Sequence, residues 1–284
     1  MPLQRKGFSL PRRIERDYRR AIHRIVGRVL APKLPDESFE EWVQTIVERS
    51  NQADVREASE LLARQMVEAA DSSNQKTWRA AAERWGRSRK LYRFLQAELA
   101  GTPLGAKVQT IIRENANYIS SIPFECAQTL VDEVTKAQQS GARPATMAKM
   151  MRARFPELLK SRVNLIARTE VAKASTALTQ ARSEQVGADW YEWLTSEDVR
   201  VRDSHKKMDG VLVAWAQPPS PEKLAGEPSG LGPYHAGACP NCRCTSAPLL
   251  DLGDVDWPHK VHDGSAVKRM TRAEFERRFI RKAA

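Results

Sequence analysis

Three of the four cysteines in this 284-residue chain fall within six positions, Cys239-Pro-Asn-Cys242-Arg-Cys244. The Cys-x2-Cys spacing is that of a knuckle, in which a tight turn aims two thiolates at one point. Pro240 and Asn241 are residues that favour such a turn. Cys242 and Cys244 stand two apart and share a face of an extended strand. A tetrahedral zinc takes four nitrogen or sulfur donors, and two histidines are candidates to complete the set. His235 lies four residues before Cys239, and His205 sits in Arg-Asp-Ser-His just ahead of an Asp209-Gly210 turn signal. Coordination by protein side chains alone makes such an ion structural, holding together a small domain with little core of its own. Two other readings stand beside it: Cys242 or Cys244 as core filling, and a Cys239–Cys244 disulfide. So sparse a use of cysteine points to a reducing cytoplasm, which disfavours the disulfide. Cys126, in a helical segment away from the trio, reads as a small buried apolar group.

Other chemistry is thinly represented. The chain has no phosphate-binding Gly-x4-Gly-Lys-Ser/Thr loop, no dinucleotide fingerprint, no nucleophile elbow and no His-Glu-x-x-His helix. His259 and His262, in Trp-Pro-His-Lys-Val-His-Asp-Gly, read first as a surface loop. Taken with His205 and the cysteines they would suggest a metal-dependent nuclease, but no spacing supplies both an open metal position and a general base. The expectation is a protein that is not an enzyme.

The elements that position the trio divide into a helical half and a mixed half. Ile14, Tyr18, Ile22, Ile25 and Val29 recur at helical spacing with arginines between them. Further helices are predicted over 38–49, 54–70, 106–121, 124–139, 144–156 and 157–186, with breaks at Pro123 and Pro156 and a stop at Gly187. A stripe of Trp78, Ala82, Trp85, Tyr92, Leu95 and Leu99, flanked by arginines, is read as core packing in preference to base stacking. After Gly187 the pattern turns to strands, over 188–195, 211–215 and 247–252, around a long Pro- and Gly-rich loop. The predicted fold is α+β: a mostly helical N-terminal region (1–140), a small α+β domain with a short sheet and zinc knuckle (141–252), and a basic C-terminal tail (253–284).

Charge is distributed unevenly. Of a net +11, residues 1–30 and 265–284 together carry +12 and the remaining 234 residues −1. Basic ends on a neutral body suggest a polyanionic partner, nucleic acid or an acidic protein face, met without sequence selectivity. Arg12, Arg13, Arg16, Arg20, Arg277, Arg278 and Arg281 are the candidate contacts; solvated helix faces are the plainer account. No apolar run reaches the ~18–20 residues of a membrane span, and the N-terminus has no apolar stretch of the kind a secretory signal needs.

The order of short elements is itself informative. Arg168-Thr-Glu170 in a long helix is followed by Trp193, Asp198-Val-Arg-Val-Arg202-Asp-Ser-His205, Asp209-Gly210, a Pro-rich loop and Pro240-Asn-Cys-Arg-Cys244. This resembles the phage Mu F-like minor head protein family, also called the phage head morphogenesis domain, over about residues 140–250. Where many members read His-Pro-Asn-Cys-Arg-Cys, this chain has Cys239, an exchange that a zinc-ligand position tolerates. The resemblance therefore implies His205, Cys239, Cys242 and Cys244 as the zinc ligands, with His235 as the substitute. It implies structural roles for Arg168 and Glu170, pairing the long helix with the small domain. Asp198 and Arg202 are expected to brace the loop that presents His205, and Asp209 and Gly210 to make a turn with positive φ. It further implies a minor capsid protein of a tailed phage or prophage, located in the head interior after assembly in the host cytoplasm. Portal, scaffold or major capsid protein would be its partners, with double-stranded DNA as a further contact and no small-molecule substrate. A metal-free interaction adaptor is the remaining alternative.

Overall fold

A computed structural model describes residues 8–30, 37–85 and 103–280. They fall into two compact units, one built from the described parts of Arg12–Ala69 and Val108–Glu170, the other from those of Met1–Pro11, Ala70–Lys107 and Val171–Ala284. Five long helices account for the N-terminal part of the described chain: α1 (Arg12–Val29), α2 (Phe39–Ser50), α3 (Ala53–Trp85), α4 (Pro103–Gln139) and α5 (Pro144–Gln185).

In the first unit, α1 buries the predicted stripe through Tyr18, Ile22, Ile25, Val26 and Val29. Each such apolar side chain contributes roughly 1.5–3 kcal/mol, which leaves the arginines on the outward face. Ser38 and Glu41 form a capping box that starts α2, with Glu41 N donating to Ser38 Oγ at 3.1 Å and Ser38 N to Glu41 Oε2 at 2.7 Å. A buried polar chain links three helices of this unit: Tyr18 donates to Asn115 Oδ1 at 3.0 Å, and Asn115 Nδ2 donates to Glu170 Oε2 at 3.3 Å. Burial and the neighbouring Glu170 hold the Tyr18 phenol well above its ordinary range, so it keeps its proton.

The sequence reading breaks a helix at Pro123 and again at Pro156, yet α4 and α5 run through both. An interior proline costs about 3 kcal/mol. Ile119, Ile122, Cys126, Ala127 and Leu130 are buried across the first proline, and Phe155, Leu159, Val163 and Ile166 across the second. That burial exceeds the proline penalty on either helix. Cys126 is one of these packed side chains, and burial pushes its thiol up to about 11, as expected of a small apolar group.

The second unit is organised by a five-stranded sheet of order β3-β1-β2-β4-β5. Its strands are β1 (Trp190–Leu194), β2 (Val211–Ala214), β3 (Thr245–Pro248), β4 (His259–His262) and β5 (Val267–Met270). β1 pairs antiparallel with β2 and β3, β2 pairs parallel with β4, and β4 pairs antiparallel with β5. Every residue of β1 is buried, so both faces of the sheet are covered. Tyr191, Trp193, Val211 and Val213 pack on one face with the cysteine trio. Trp190, Leu212, Val261, Met270 and Phe275 pack on the other.

A third cluster joins Trp78 to Phe8, Leu194 and Ala247, with the Phe8 and Trp78 rings edge to face at 5.6 Å. Trp78 is therefore core, while positions 86–102 of its stripe lie outside the described residues. A buried guanidinium fastens α3 to α5 here: Arg182 donates to Asn74 Oδ1 at 2.6 Å and Asp71 Oδ1 at 2.7 Å. Asn74 in turn donates to Thr179 Oγ1 at 2.8 Å, so no member of this network is left unpaired.

Residues 259–270 differ most from the sequence reading, which has a loop around His259 and His262 and a basic tail beyond that is helical from about Thr271. The structure makes them β4 and β5, followed by a capped turn of helix, α8 (Arg272–Phe275), and by Glu276–Ile280 in π-helical geometry. Phe275 and Phe279 each stack on Trp190 at 4.8 Å. The charged residues hid this pattern, because the apolar anchors are spaced among Lys and Arg on the solvent side. Among the described residues no helix is long and apolar enough to cross a membrane.

Asp263 holds the β4–β5 hairpin. It accepts from Lys268 Nζ (2.6 Å), Ser265 N (3.1 Å), Ala266 N (2.9 Å) and Arg278 Nη2 (3.2 Å). The Lys268 ammonium, then the Ala266 N–H, keep its carboxyl well below the usual carboxylate range. A depressed folded-state pKa contributes stability above the unfolded value of about 3.9 and loses it as pH falls through the folded one. We therefore expect thermal stability to drop more steeply below pH ~4 in the wild type than in Asp263→Asn. The variant should be less stable at pH 7. Parallel pH–Tm curves for the two proteins would contradict this.

Candidate metal centre

His205 lies in α6 (Asp203–Met208), a six-residue helix between β1 and β2. The three cysteines follow the long loop and the short helix α7 (Pro221–Ala225). The knuckle turn closes through Cys242 N donating to Cys239 O at 3.2 Å. Asn241 takes φ 62° within it, a conformation its short polar side chain tolerates. Cys244 N donates to Cys242 Sγ at 3.4 Å. Upstream, Gly237 adopts φ 87°, and a Cβ there would stand 2.6 Å from Thr176 Oγ1 on α5 and 3.0 Å from Cys244 O. Glycine is thus required where the chain presses between helix and knuckle.

The ring of His205 meets all three sulfurs. Cys244 Sγ is 3.4 Å and Cys242 Sγ 3.6 Å from Nδ1, and Cys239 Sγ is 3.9 Å from Nε2. One ligand atom each from His205, Cys239 and Cys242 lies within 4.8 Å of the others. Tetrahedral zinc, about 2.3 Å from sulfur and 2.0–2.1 Å from nitrogen, would space its ligand atoms roughly 3.5–3.8 Å apart. The Cys242 and Cys244 separations from Nδ1 and the soft donor set fit that ion, and Cys239 Sγ lies within the 4.8 Å set, 3.9 Å from the ring's other nitrogen. All four side chains are buried, and all four cysteines of the chain are free thiols, so the Cys239–Cys244 disulfide is not formed.

Electrostatics follow from this packing. Burial opposes a charged His205, but hydrogen bonds to the Cys239 and Cys242 sulfurs outweigh it and push the ring up to about 9. The hydrogen bond to Cys242, with burial, pushes Cys239 up to about 12 against the pull of His205 and Arg202. Metal ligation needs thiolates and a neutral imidazole, so loading would release protons and strengthen as pH rises.

The surrounding residues brace the knuckle. Arg202 donates from Nη1 to Cys239 Sγ at 2.8 Å and from Nη2 to Pro240 O at 3.0 Å. Asp198 pairs with Arg243 and accepts from Arg200 N at 2.9 Å. Both residues therefore join the segment that leads to His205 to the cysteine loop. Asp209 Oδ1 accepts from Thr195 N and Oγ1 at 2.8 and 2.9 Å, and Gly210, at φ 71°, donates from its N–H to Trp193 O at 2.8 Å. This is the turn expected there.

Arg168 and Glu170 are expected to tie the long helix to the small domain. Within the first unit, Arg168 Nε lies 3.5 Å from Glu15 Oε1 on α1, and Glu170 accepts from Asn115 on α4. His235 is not in the mutually close set; it contacts the Tyr191 hydroxyl through Nδ1 at 3.2 Å and packs on Trp215 at 5.0 Å. His259 and His262 are strand residues and also stand outside the set, with His259 Nε2 3.8 Å from Glu192 Oε1.

Two residues that sequence reasoning missed complete the site. Tyr234 Oη is 2.9 Å from His205 Nε2, and it donates to the buried carboxylate of Glu222, with oxygens at 2.7 and 2.8 Å. No motif signals either one, because both lie in the long Pro- and Gly-rich segment between β2 and the knuckle.

Comparison with known proteins agrees with these elements. Residues 128–247 match the model of the family described as phage Mu protein F like protein, the family whose likeness is read from the sequence. An uncharacterized protein of Haemophilus influenzae is 32% identical over 158 residues, 55% of this chain and 33% of that protein. An uncharacterized protein of Methanocaldococcus jannaschii is 31% identical over 125 residues, 44% of this chain and 18% of that protein. The chain thus spans a third or less of these relatives' lengths. No solved structure matches it.

The donor geometry makes the metal testable. Purified protein should contain about one zinc per chain, and Cys242→Ser should lose it. Removing zinc held about 100-fold above its Kd should cost about 2.7 kcal/mol, a Tm fall of roughly 5–10 °C. Binding should be weaker at pH 6 than at pH 8. A metal-free protein whose Tm ignores both zinc and chelator would dismiss the centre.

Proposed function

We propose that this chain, whose residues 128–247 form a phage Mu F-like domain, is a minor head protein of a tailed phage or prophage that acts in head morphogenesis. The family match carries the reading, and the site gives it a physical basis. His205, Cys239 and Cys242 would hold the zinc, and Cys244, with Sγ 3.4 Å from His205 Nδ1, would take the fourth position that water or substrate would otherwise occupy. The ion would supply cross-linking of the knuckle to α6, and the role is structural and not catalytic.

Partners in this reading are the portal, scaffold or major capsid protein, and the location is the head. Sequence-independent contact with packaged DNA is the finer part of the proposal. Arg12, Arg13, Arg16 and Arg20 are exposed on α1. Asp17 is shared among Arg13, Arg16 and Arg20, at 3.7, 3.7 and 3.9 Å, so positive charge predominates there. At the other end Arg277 is exposed, Arg278 is engaged by Asp263, and Arg281 lies outside the described residues.

The test is to induce the phage or prophage encoding the chain and fractionate its particles. The protein should co-sediment with DNA-filled heads and portal in low copy, and deleting its gene should reduce filled heads at least tenfold. Its absence from gradient-purified heads, with normal filling after deletion, would refute the assignment. Plasmid nicking that requires His205 would favour the nuclease alternative.

A further inference from the structure

We propose that Tyr234 and Glu222 are positioning residues that commit His205 to one ring nitrogen, Nδ1, as the metal ligand. The inference rests on the zinc reading above and specifies how this chain orients its only nitrogen donor to that ion.

A carboxylate only accepts hydrogen bonds, so the phenol proton of Tyr234, 2.7 and 2.8 Å from the two Glu222 oxygens, points to Glu222. The Tyr234 oxygen then has lone pairs alone to offer in the direction of His205. Nε2, 2.9 Å away, must bring the proton to that contact. A neutral imidazole carrying its proton on Nε2 has its free lone pair on Nδ1. Nδ1 is the nitrogen that faces Cys244 and Cys242 Sγ, at 3.4 and 3.6 Å.

The relay is held on every side. Glu222 is 6% exposed and also accepts from Ser204 Oγ at 3.5 Å. Lys207 Nζ donates to Ala225 O at 3.2 Å, joining α6 to α7. Tyr234 N donates to Pro219 O at 2.9 Å. Trp193 stands edge to face against the His205 ring at 5.5 Å and 79°, which opposes a flip that would exchange the nitrogens. Ligating histidines characteristically give their second N–H to a carboxylate or another acceptor, which fixes tautomer and ring orientation. Here a phenol is interposed, extending the reach of a carboxylate that sits on a separate helix.

The experiment uses the full chain, 15N-labelled and loaded with zinc. Long-range proton–nitrogen spectra identify His205 as the ring whose nitrogens move on loading. Wild type should carry its proton on Nε2 and the metal on Nδ1. In chelator competition, Tyr234→Phe should weaken apparent zinc affinity roughly 10- to 100-fold, and Glu222→Gln should weaken it less, since its amide oxygen still accepts. Both variants should keep wild-type helicity, and both should lose the single nitrogen pattern. Metal on Nε2 in the wild type overturns the proposal and leaves the zinc centre standing, a result that needs no variant to fold. Unchanged affinity and an unchanged nitrogen pattern in both variants overturn it equally. A wild type that takes up no zinc refutes the centre itself, and this inference with it.

Discussion

Three thiols and an imidazole are packed against the apolar face of a small sheet, and that placement constrains everything around them. Polar, ionisable groups do not sit beside Tyr191, Trp193 and Val213 without compensation. Each has a named partner. Arg202 donates to Cys239, the backbone N–H of Cys244 donates to Cys242, and the ring of His205 lies between sulfurs and the Tyr234 hydroxyl. A soft dication at their centre would convert mutually unfavourable neighbours into ligands.

The sheet supplies the platform for that convergence. Its central strand β1 is buried along its whole length, and its two faces serve different ends. One carries the donors. The other is closed by Phe275 and Phe279 against Trp190, so the C-terminal residues stabilise the strand that supports the site. α5 reaches the same region through Thr176, whose hydroxyl donates to Ala236 O at 2.7 Å, beside the obligatory Gly237. Helix and sheet therefore meet at the entry to the knuckle, which fixes where Cys239 begins.

Much of this was legible in the residues, for identifiable reasons. The α1 stripe, the Gly187 stop, the Asp209-Gly210 turn and the knuckle spacing are local patterns, and local patterns survive translation into structure. Pro123 and Pro156 misled because proline's penalty is local while the burial that outweighs it is spread along the helix. The strand at His259–His262 was concealed because its pattern is short, polar and directly preceded by Pro258. It is a strand by virtue of pairing with β2 and β5, partners far along the chain or across a turn.

Taken alone, the sequence determined the chemistry available: three clustered thiols, a histidine ahead of an Asp-Gly turn, and arginines at both ends. It also determined the α+β division, because hydrophobic periodicity is written locally. The tertiary structure alone decided which histidine faces the sulfurs, which carboxylate and phenol stand behind it, and what Arg202 and Asp198 grip. Those choices depend on distances between residues up to 45 positions apart, with His205 and the cysteines 34 to 39 apart. Separation along the chain carries no such information until the sheet has closed.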